Sequence, residues 1–112
     1  MDNIQSICEN KEFRRIYTRG KSYIAPGVVT YVLRNKRHRQ VRVGITTSKK
    51  TGNAVRRNRS RRILREAFRQ VVPELKEGYD IILVARTRTP FLKSTEIEET
   101  IRRHFKEAGI LK

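Results

Sequence analysis

The distribution of charge constrains this chain of 112 residues more than any other feature of its sequence. No aspartate or glutamate occurs from Phe13 through Arg65, and 17 of the 27 lysines and arginines lie in that stretch. The formal net charge is +16, and a compact domain with such a charge repels itself unless a polyanion neutralises it. Because most acids come later in the chain, the sequence predicts one strongly positive surface, as expected of a protein that binds nucleic acid.

Composition limits the other classes to which the chain can belong. Hydrophobic residues make up 37%, which suits a single folded domain over residues 1–112. The longest apolar run, Ile81–Ala85, is too short to span a bilayer, and the first residues show no signal-peptide pattern. The single cysteine, Cys8, fits a reducing compartment and reads as a small hydrophobe at a helix edge. We therefore expect a cytoplasmic protein with no membrane partner.

The first half of the chain predicts one helix and a pair of strands. Apolar residues recur at helical spacing from Phe13 to Tyr17, and Gly20 is placed to end that helix. Val28–Leu33 and Val41–Thr47 are rich in β-branched residues and flank a short basic turn. We expect these two strands to pair with each other as a hairpin.

The second half predicts two helices around a central strand. A long helix runs from Asn53, a good N-cap, to about Val72, and Pro73 ends it. The apolar run at 81–85 suits a strand covered on both faces, and Thr95 with Glu98 reads as a capping box for the last helix. The expected fold is a mixed α/β (α+β) two-layer sandwich, in which a small central sheet is crossed by the long basic helix.

The long helix separates an apolar side from an arginine-rich side. Its apolar residues fall together and should pack on the sheet: Ile63, Leu64, Ala67, Phe68 and Val71. Its candidate RNA-binding residues are Arg56, Arg57, Asn58, Arg59, Arg61, Arg62, Arg65 and Arg69. Arginine can hold a phosphate with two hydrogen bonds and can stack on bases, which lysine cannot do. A merely solvated face is the competing interpretation, but the acids that would balance it are missing and only Glu66 interrupts the series.

Aromatic residues near the acid-free stretch are candidates for stacking on unpaired bases. Phe13 and Tyr17 share a helix face, and Tyr31 lies in the first predicted strand. Ordinary core packing is the alternative, and it is the favoured one for Phe13 and Phe68. Phe91 and Phe105 read as core or loop anchors.

The residues of a protein-based catalyst are not apparent. His38 and His104 have no partners at metal-ligand spacing, and the basic region has no pair of carboxylates for acid–base chemistry. The stretch after Gly44 is superficially similar to a phosphate-binding loop, but Lys49 stands where the second glycine is needed, which argues against a nucleotide triphosphate. We expect no catalytic or metal-ligating residues, so another molecule should supply any chemistry.

The stretch from Gly44 to Arg69 resembles the signature of the bacterial ribonuclease P protein family. The matching residues are Gly44, Ser48, Lys49, Lys50, Gly52, Asn53, Ala54, Val55, Arg57, Asn58, Arg59, Arg61, Arg62 and Arg65. The resemblance extends to Phe13, Tyr17, Gly20 and Tyr31, and to the run 79–86. Two departures are the acidic opening at Asp2, where the family often has a basic segment, and Arg61, where lysine is common.

The resemblance implies an α/β sandwich with a left-handed βαβ crossover. It also implies a catalytic RNA bound by the arginine helix, and a cleft for the single-stranded 5′ leader of precursor tRNA. The implied leader-binding residues are Phe13, Tyr17, Tyr31, Lys49 and Lys50. The RNA subunit and its magnesium would cleave the phosphodiester bond, and the protein would raise the affinity for substrate and metal.

Two alternatives to this assignment can be tested directly. A structural RNA-binding protein of ribosomal type would bind RNA but would not restore cleavage by the catalytic RNA at low magnesium. A protein nuclease would cut tRNA precursors with no RNA subunit present, and the sequence offers no residues for that reaction.

Overall fold

The structure, a computed structural model, describes residues 4–112 of the chain. Its strands are β1 (Ile4–Ser6), β2 (Lys21–Ile24), β3 (Val28–Arg34), β4 (Val41–Thr46) and β5 (Tyr79–Ala85). Its helices are α1 (Asn10–Arg19), α2 (Ala54–Val71) and α3 (Ser94–Ala108). Short 3₁₀ turns lie at Lys49–Thr51, Val72–Glu74 and Thr89–Phe91. The acidic departure at Asp2 falls outside the described residues.

The five strands form one sheet in the order β1-β4-β5-β3-β2. β4 and β5 are parallel neighbours joined by α2, whereas β3 runs antiparallel to both β5 and β2. The middle of β5 is fully buried, which agrees with the unbroken apolar run and its predicted central place. The mixed α/β class and the crossing of α2 between two strands are confirmed, and the left-handed sense of that crossover stays a prediction.

The predicted hairpin of β3 with β4 is wrong. β5 lies between these two strands, and the hairpin partner of β3 is β2, which pairs along its whole length from Lys21 to Ile24. The strand most apolar on both faces takes the middle of the sheet because that position buries both of its faces. The sequence pattern does not reveal β2, because that strand is short and polar at its start, nor does it reveal the parallel edge strand β1.

α2 and α3 cover one face of the sheet and form the main core. Ile81 and Leu83 of β5 pack there against Leu64, Phe68 and Phe105. Burial of each such side chain stabilises the fold by about 1.5–3 kcal/mol. The predicted apolar side of α2 is confirmed, with Leu64, Ala67, Phe68 and Val71 buried and Ile63 packed at its margin. Phe105 is the core anchor that the sequence indicated.

In the described part of the chain, α1 and the segment just before it cover the other face, and the core there is much smaller. The fully covered residues are Ile7, Ile16 and Ile82, and half-buried side chains surround them. α1 ends where predicted, because the Gly20 amide donates to the Ile16 carbonyl over 2.7 Å. A helix of ten residues leaves part of this face uncovered.

The predicted caps fare differently at the two long helices. At α2, the Asn53 side chain accepts a hydrogen bond from the Arg56 amide over 3.0 Å, as expected of an N-cap. At α3, the capping box predicted from Thr95 and Glu98 is wrong, because the Glu96 carboxylate accepts from the Lys93 amide, two residues earlier than the predicted register. A run of several glutamates offers more than one register, and the backbone selects between them.

Candidate nucleic-acid interface

The sheet face under α1 carries three cross-strand rows of side chains. The middle row joins Tyr31 of β3, Ile82 of β5 and Gly44 of β4. A Cβ atom at Gly44 would lie 2.6 Å from two ring carbons of Phe13, so the missing side chain is what admits that ring. The glycine of the sequence signature therefore serves packing of α1 onto the sheet rather than a turn.

The row on one side of Gly44 holds a buried cluster of charges. The Asp80 carboxylate is fully buried and accepts hydrogen bonds of 2.9 Å from both Arg15 and Asn35. The Arg42 guanidinium lies 3.7 Å from the second Asp80 oxygen and pairs with Glu12 of α1. Because Arg15 and Glu12 both belong to α1, this cluster fixes the helix on the sheet.

The charge cluster corrects one part of the sequence interpretation. Arg15 and Arg42 lie in the acid-free stretch, yet both are paired with acids from outside it. Arg42 is almost completely buried, so it cannot contribute to a positive surface. A lone aspartate at the start of an apolar strand, as Asp80 is, was the available signal for this cluster.

The candidate aromatic residues meet beyond the middle row. Tyr17 lies edge-on to Tyr31 with ring centres 4.8 Å apart, and Phe13 is 6.4 Å from Tyr17 on the same side of α1. Phe13 and Tyr31 are half-buried, while Tyr17 is 40% exposed and its hydroxyl lies 3.4 Å from that of Thr46. The three rings thus form one surface that is half-buried at Phe13 and Tyr31 and more exposed at Tyr17.

The third row forms a partly exposed floor next to Tyr17. It joins Val29, Val84 and Thr46, which are all half-buried, with Ile24 of β2 at its outer end. Ile24 is 70% exposed, although it belongs to a strand that pairs normally. This apolar floor, bounded by Tyr17, defines an open cleft of the kind on which unpaired bases can stack.

The two candidate lysines lie where β4 leaves the sheet. Lys49 and Lys50 occupy the 3₁₀ turn that follows β4, and both side chains are exposed. The turn is held by Thr51, whose amide donates to the Ser48 carbonyl over 2.9 Å. Thr46, which touches Tyr17, is three residues from Lys49, so the lysines follow directly from the open end of the cleft.

The arginines of α2 form a cationic surface on the opposite side from the core. Arg56, Asn58, Arg59, Arg62, Arg65 and Arg69 are exposed, and Arg57 and Arg61 are partly so. Short contacts orient two of them, because Arg57 donates to the Gly52 carbonyl over 2.9 Å and Arg61 to the Asn58 side chain over 3.0 Å. Among residues 4–112, the only acid paired with an α2 arginine is Glu66, 4.0 Å from Arg69.

A cavity of about 420 Å³ links the arginine surface to the edge of the sheet. Arg65 and Arg69 line it together with Phe68, and Gly44 and Ile45 of β4 form its other wall. β1 ends at Ser6, so β4 has no strand partner beyond Val43 on this side. Gly44 therefore lines the cavity beside the arginine surface and also packs against Phe13 on the α1 side of the sheet.

Phe91 differs from its predicted role. The sequence indicated a core or loop anchor, but Phe91 is 67% exposed and faces the Arg56 guanidinium at 5.1 Å. Pro90 and Leu92, on either side of it, take the packing positions instead. Cys8 lies just before α1, at a helix edge as the sequence indicated, and it is exposed. For Phe91, neighbours of similar hydrophobicity made the buried position ambiguous.

α3 carries the acids that α2 lacks. Arg102 of α3 pairs with Glu74 over 2.8 Å and with Glu98 over 3.2 Å. The hydrogen bonds from Arg102 hold the pKa of Glu74 below its usual range. On the same helix, burial lowers the pKa of His104, whose Nδ1 lies 2.8 Å from the Thr30 hydroxyl. These contacts tie α3 to the fold and leave it close to neutral.

No helix between residues 4 and 112 is long and apolar enough to cross a membrane. No three acidic, histidine or cysteine side chains in that range come close enough together to hold a metal ion.

The fold and its surfaces define a class: a small α/β protein with a cationic helix beside an aromatic cleft, suited to a polyanion that has unpaired bases. Comparison with known proteins makes this specific. Residues 1–109 match the family model described as Ribonuclease P. The chain therefore belongs to the ribonuclease P protein family, whose members serve as the protein component of an RNA-based endoribonuclease that processes tRNA.

Individual relatives agree with this assignment over nearly the whole chain. A ribonuclease P protein component from Clostridium novyi is 40% identical over 111 residues, which cover 98% of each chain. One from Natranaerobius thermophilus is 38% identical and covers 99% of this chain and 96% of its own. A solved ribonuclease P protein from Staphylococcus aureus superposes with a TM-score of 0.82 at 34% identity, covering 96% of this chain and 97% of its own.

Proposed function

We propose that α2 binds the catalytic RNA of ribonuclease P, while the cleft under α1 binds the 5′ leader of precursor tRNA. In this way the protein assists endonucleolytic removal of the leader, which gives the mature 5′ end. The residues assigned to the catalytic RNA are Arg56, Arg57, Asn58, Arg59, Arg61, Arg62, Arg65 and Arg69. Those assigned to the leader are Phe13, Tyr17, Tyr31, Lys49 and Lys50.

The arginine surface of α2 is the observation that carries this proposal. Seven arginines and a single glutamate share a helix whose other side is buried in the core. Like charges at these spacings destabilise a helix in water, and phosphates placed between them turn that repulsion into attraction. The rigid packing of Leu64 and Phe68 holds the arginines in a fixed array, which suits a folded RNA better than a flexible peptide.

The leader assignment rests on the openness of the cleft. Tyr17 is exposed, and the floor at Val29 and Val84 is only half-buried, so the cleft presents aromatic and apolar surface to solvent. Stacking on such a surface needs bases that are not already paired, and a single-stranded leader has them. Lys49 and Lys50 then lie where the backbone of that strand would leave the cleft.

Magnesium belongs to the RNA subunit in this proposal. The two acids nearest the cleft, Asp80 and Glu12, are already engaged by Arg15 and Arg42, so they do not fit a divalent cation. The protein would instead reduce repulsion between the phosphates of substrate and catalytic RNA. Less magnesium is then needed for the same binding of substrate.

Reconstitution is the direct test. The protein is combined with a bacterial catalytic RNA, and cleavage of precursor tRNA is measured at low magnesium, where the RNA alone is slow. Wild-type protein should restore cleavage, and Arg62→Ala with Arg65→Ala should not restore it at the same protein concentration. If the protein bound RNA with no gain in cleavage, the structural alternative of ribosomal type would replace this proposal.

The leader cleft has its own test. Tyr31→Ala and Tyr17→Ala should each weaken binding of precursor tRNA to the holoenzyme by about tenfold, the usual value of one stacked base. Binding of mature tRNA should not change, because it has no leader. Tyr17→Phe is the matched control, since it keeps the ring and loses only the hydroxyl near Thr46. Equal losses for precursor and mature tRNA would remove these residues from the leader site.

A further inference from the structure

An exposed aromatic ring beside the start of α2 has no role in the function proposed so far. Phe91 ends the 3₁₀ turn Thr89–Phe91, and two thirds of it is open to solvent, at 67% exposure. The Arg56 guanidinium lies over one side of the ring, 5.1 Å from its centre. A cation over a ring is favourable, and the high exposure of Phe91 means that Arg56 leaves most of the ring open to solvent.

The turn that carries Phe91 is held without help from the ring. The Thr89 hydroxyl donates to the Gly27 carbonyl over 2.6 Å and accepts from the Arg86 amide over 2.7 Å. Thr89 is fully buried, and Leu92 packs against the main core. An anchor for the turn is therefore already present, and Phe91 is displayed on a rigid support rather than on a mobile loop.

Arg56 is also fixed by contacts that do not involve the ring. Its amide is bound by the Asn53 side chain, and its stem lies across Gly52, where a Cβ atom would come within 2.7 Å of the Arg56 Cδ. Gly52 has φ of +132°, which favours glycine in any case. The ring and the guanidinium thus form one preorganised surface, which lowers the entropic cost of binding a flat ligand.

We propose that Phe91 and Arg56 form a stacking platform for one unpaired nucleotide of the catalytic RNA. The base would lie on the free side of the Phe91 ring, and Arg56 with the exposed Arg88 would contact its phosphates. The proposal rests on the proposed function, because Arg56 belongs to the arginine surface assigned to that RNA. A protein partner is less favoured, since the surroundings are cationic and Val55 is the main other exposed apolar residue of that helix end.

Fluorescence gives a direct reading of the platform. The chain has no tryptophan, so Phe91→Trp places a single indole at the proposed stacking position. Adding catalytic RNA should quench its emission strongly, because a base stacked on the indole changes its environment. A fully paired RNA duplex at the same salt should bind the cationic surface but leave the emission almost unchanged. Quenching by precursor tRNA alone, with none by the catalytic RNA, would overturn the assignment of the partner.

Affinity measurements give a second, independent reading. Phe91→Leu keeps an apolar side chain but loses the ring, and it should weaken binding of the catalytic RNA by about tenfold. The salt dependence of binding should stay as in wild type, because no phosphate contact is removed. Phe91→Tyr should bind like wild type. Val55→Ala, which trims a neighbouring exposed residue with 75% exposure, should also bind like wild type.

The two proposals fail in different ways. If wild-type protein showed no salt-sensitive binding of the catalytic RNA, the proposed function itself would be wrong. If wild type bound normally and Phe91→Leu bound equally well, with Phe91→Trp unquenched, only the platform would be wrong. A thermal unfolding midpoint equal to that of wild type for each variant ensures that a loss of binding reflects the surface and not the fold.

Discussion

α2 and α3 pack side by side on the same face of one sheet, yet they differ in whether their basic residues are paired with acids. α3 has four glutamates against three basic residues, and its Arg102 is paired twice with acids. α2 has seven arginines and one glutamate, and most of its guanidinium groups point into solvent. An arginine that is paired with an acid stabilises the fold, whereas an exposed arginine without such a pair is available to bind a partner.

The largest effect that we expect from this contrast is a loss of folding stability when the buried charge cluster around Asp80 is broken. Asp80→Asn removes the charge that Arg15 and Arg42 face, and loss of one partner of a buried ion pair costs about 3–5 kcal/mol of folding stability. Urea unfolding at neutral pH would measure the loss. Glu77→Gln, an exposed acid close by in the chain, should change stability little. A loss below about 1 kcal/mol for Asp80→Asn would show that the cluster is not holding α1.

The unpaired arginines should show the reverse behaviour. Arg62→Ala with Arg65→Ala should leave stability nearly unchanged but weaken binding of the catalytic RNA by about 100-fold, given about 1.5 kcal/mol for each charge-assisted contact. The slope of log affinity against log salt should fall by about one unit for each lost phosphate contact. Arg103→Ala with Lys106→Ala removes the same charge from α3 and should have a much smaller effect. An unchanged slope in the α2 variant would argue against that helix as the interface.

Removing the paired arginine of α3, Arg102, should affect stability and not RNA binding. Arg102→Ala should cost about 1 kcal/mol of stability, because its pairs with Glu74 and Glu98 are partly exposed and screened by water. RNA affinity should stay within twofold of wild type at physiological salt. Guanidinium unfolding is unsuitable here because that salt screens the pairs, so urea or heat should be used. A large loss of RNA affinity would mean that the interface reaches α3.

The smallest expected effect concerns His104 on the buried side of α3. Its pKa is lowered by burial, so the folded protein keeps this group neutral at a pH where the unfolded chain, with a pKa of about 6.5, takes up a proton. The stability it contributes is present above that pH and is lost as the pH falls towards the lower folded pKa. Urea unfolding between pH 7 and pH 5 should therefore show a decline, and His104→Gln should reduce it. His38→Gln, which leaves the contact of His104 with Thr30 intact, is the control, and an identical decline in both variants would contradict this origin.

Local signals in the sequence predicted the helices well and the strand pairing poorly. The cap at Asn53, the apolar side of α2 and the stop at Gly20 all depend on residues within one or two turns, so the sequence reveals them. The place of β5 between β3 and β4 depends on which distant strands compete for the centre of the sheet. The first is a local preference of the backbone, whereas the second is decided by the whole core.

The candidate site divides along the same line. The exposure of Arg62 and Arg65 could be predicted from helical spacing alone, because a helix with one buried side must expose the other. The pairing of Arg42 with Glu12 and Asp80 could not, since it joins three separate elements. The exposure of Phe91 was equally hidden, because a hydrophobic residue between two buried neighbours reads as a third.

The contact of Phe13 with Gly44 has a consequence for how sequences of this family can vary. A methyl group at position 44 and a phenyl ring at position 13 would overlap in space. A relative with alanine at position 44 should therefore carry a residue smaller than phenylalanine at position 13, or hold its first helix at a different tilt. Covariation between these two positions would then report the width of the cleft across the family.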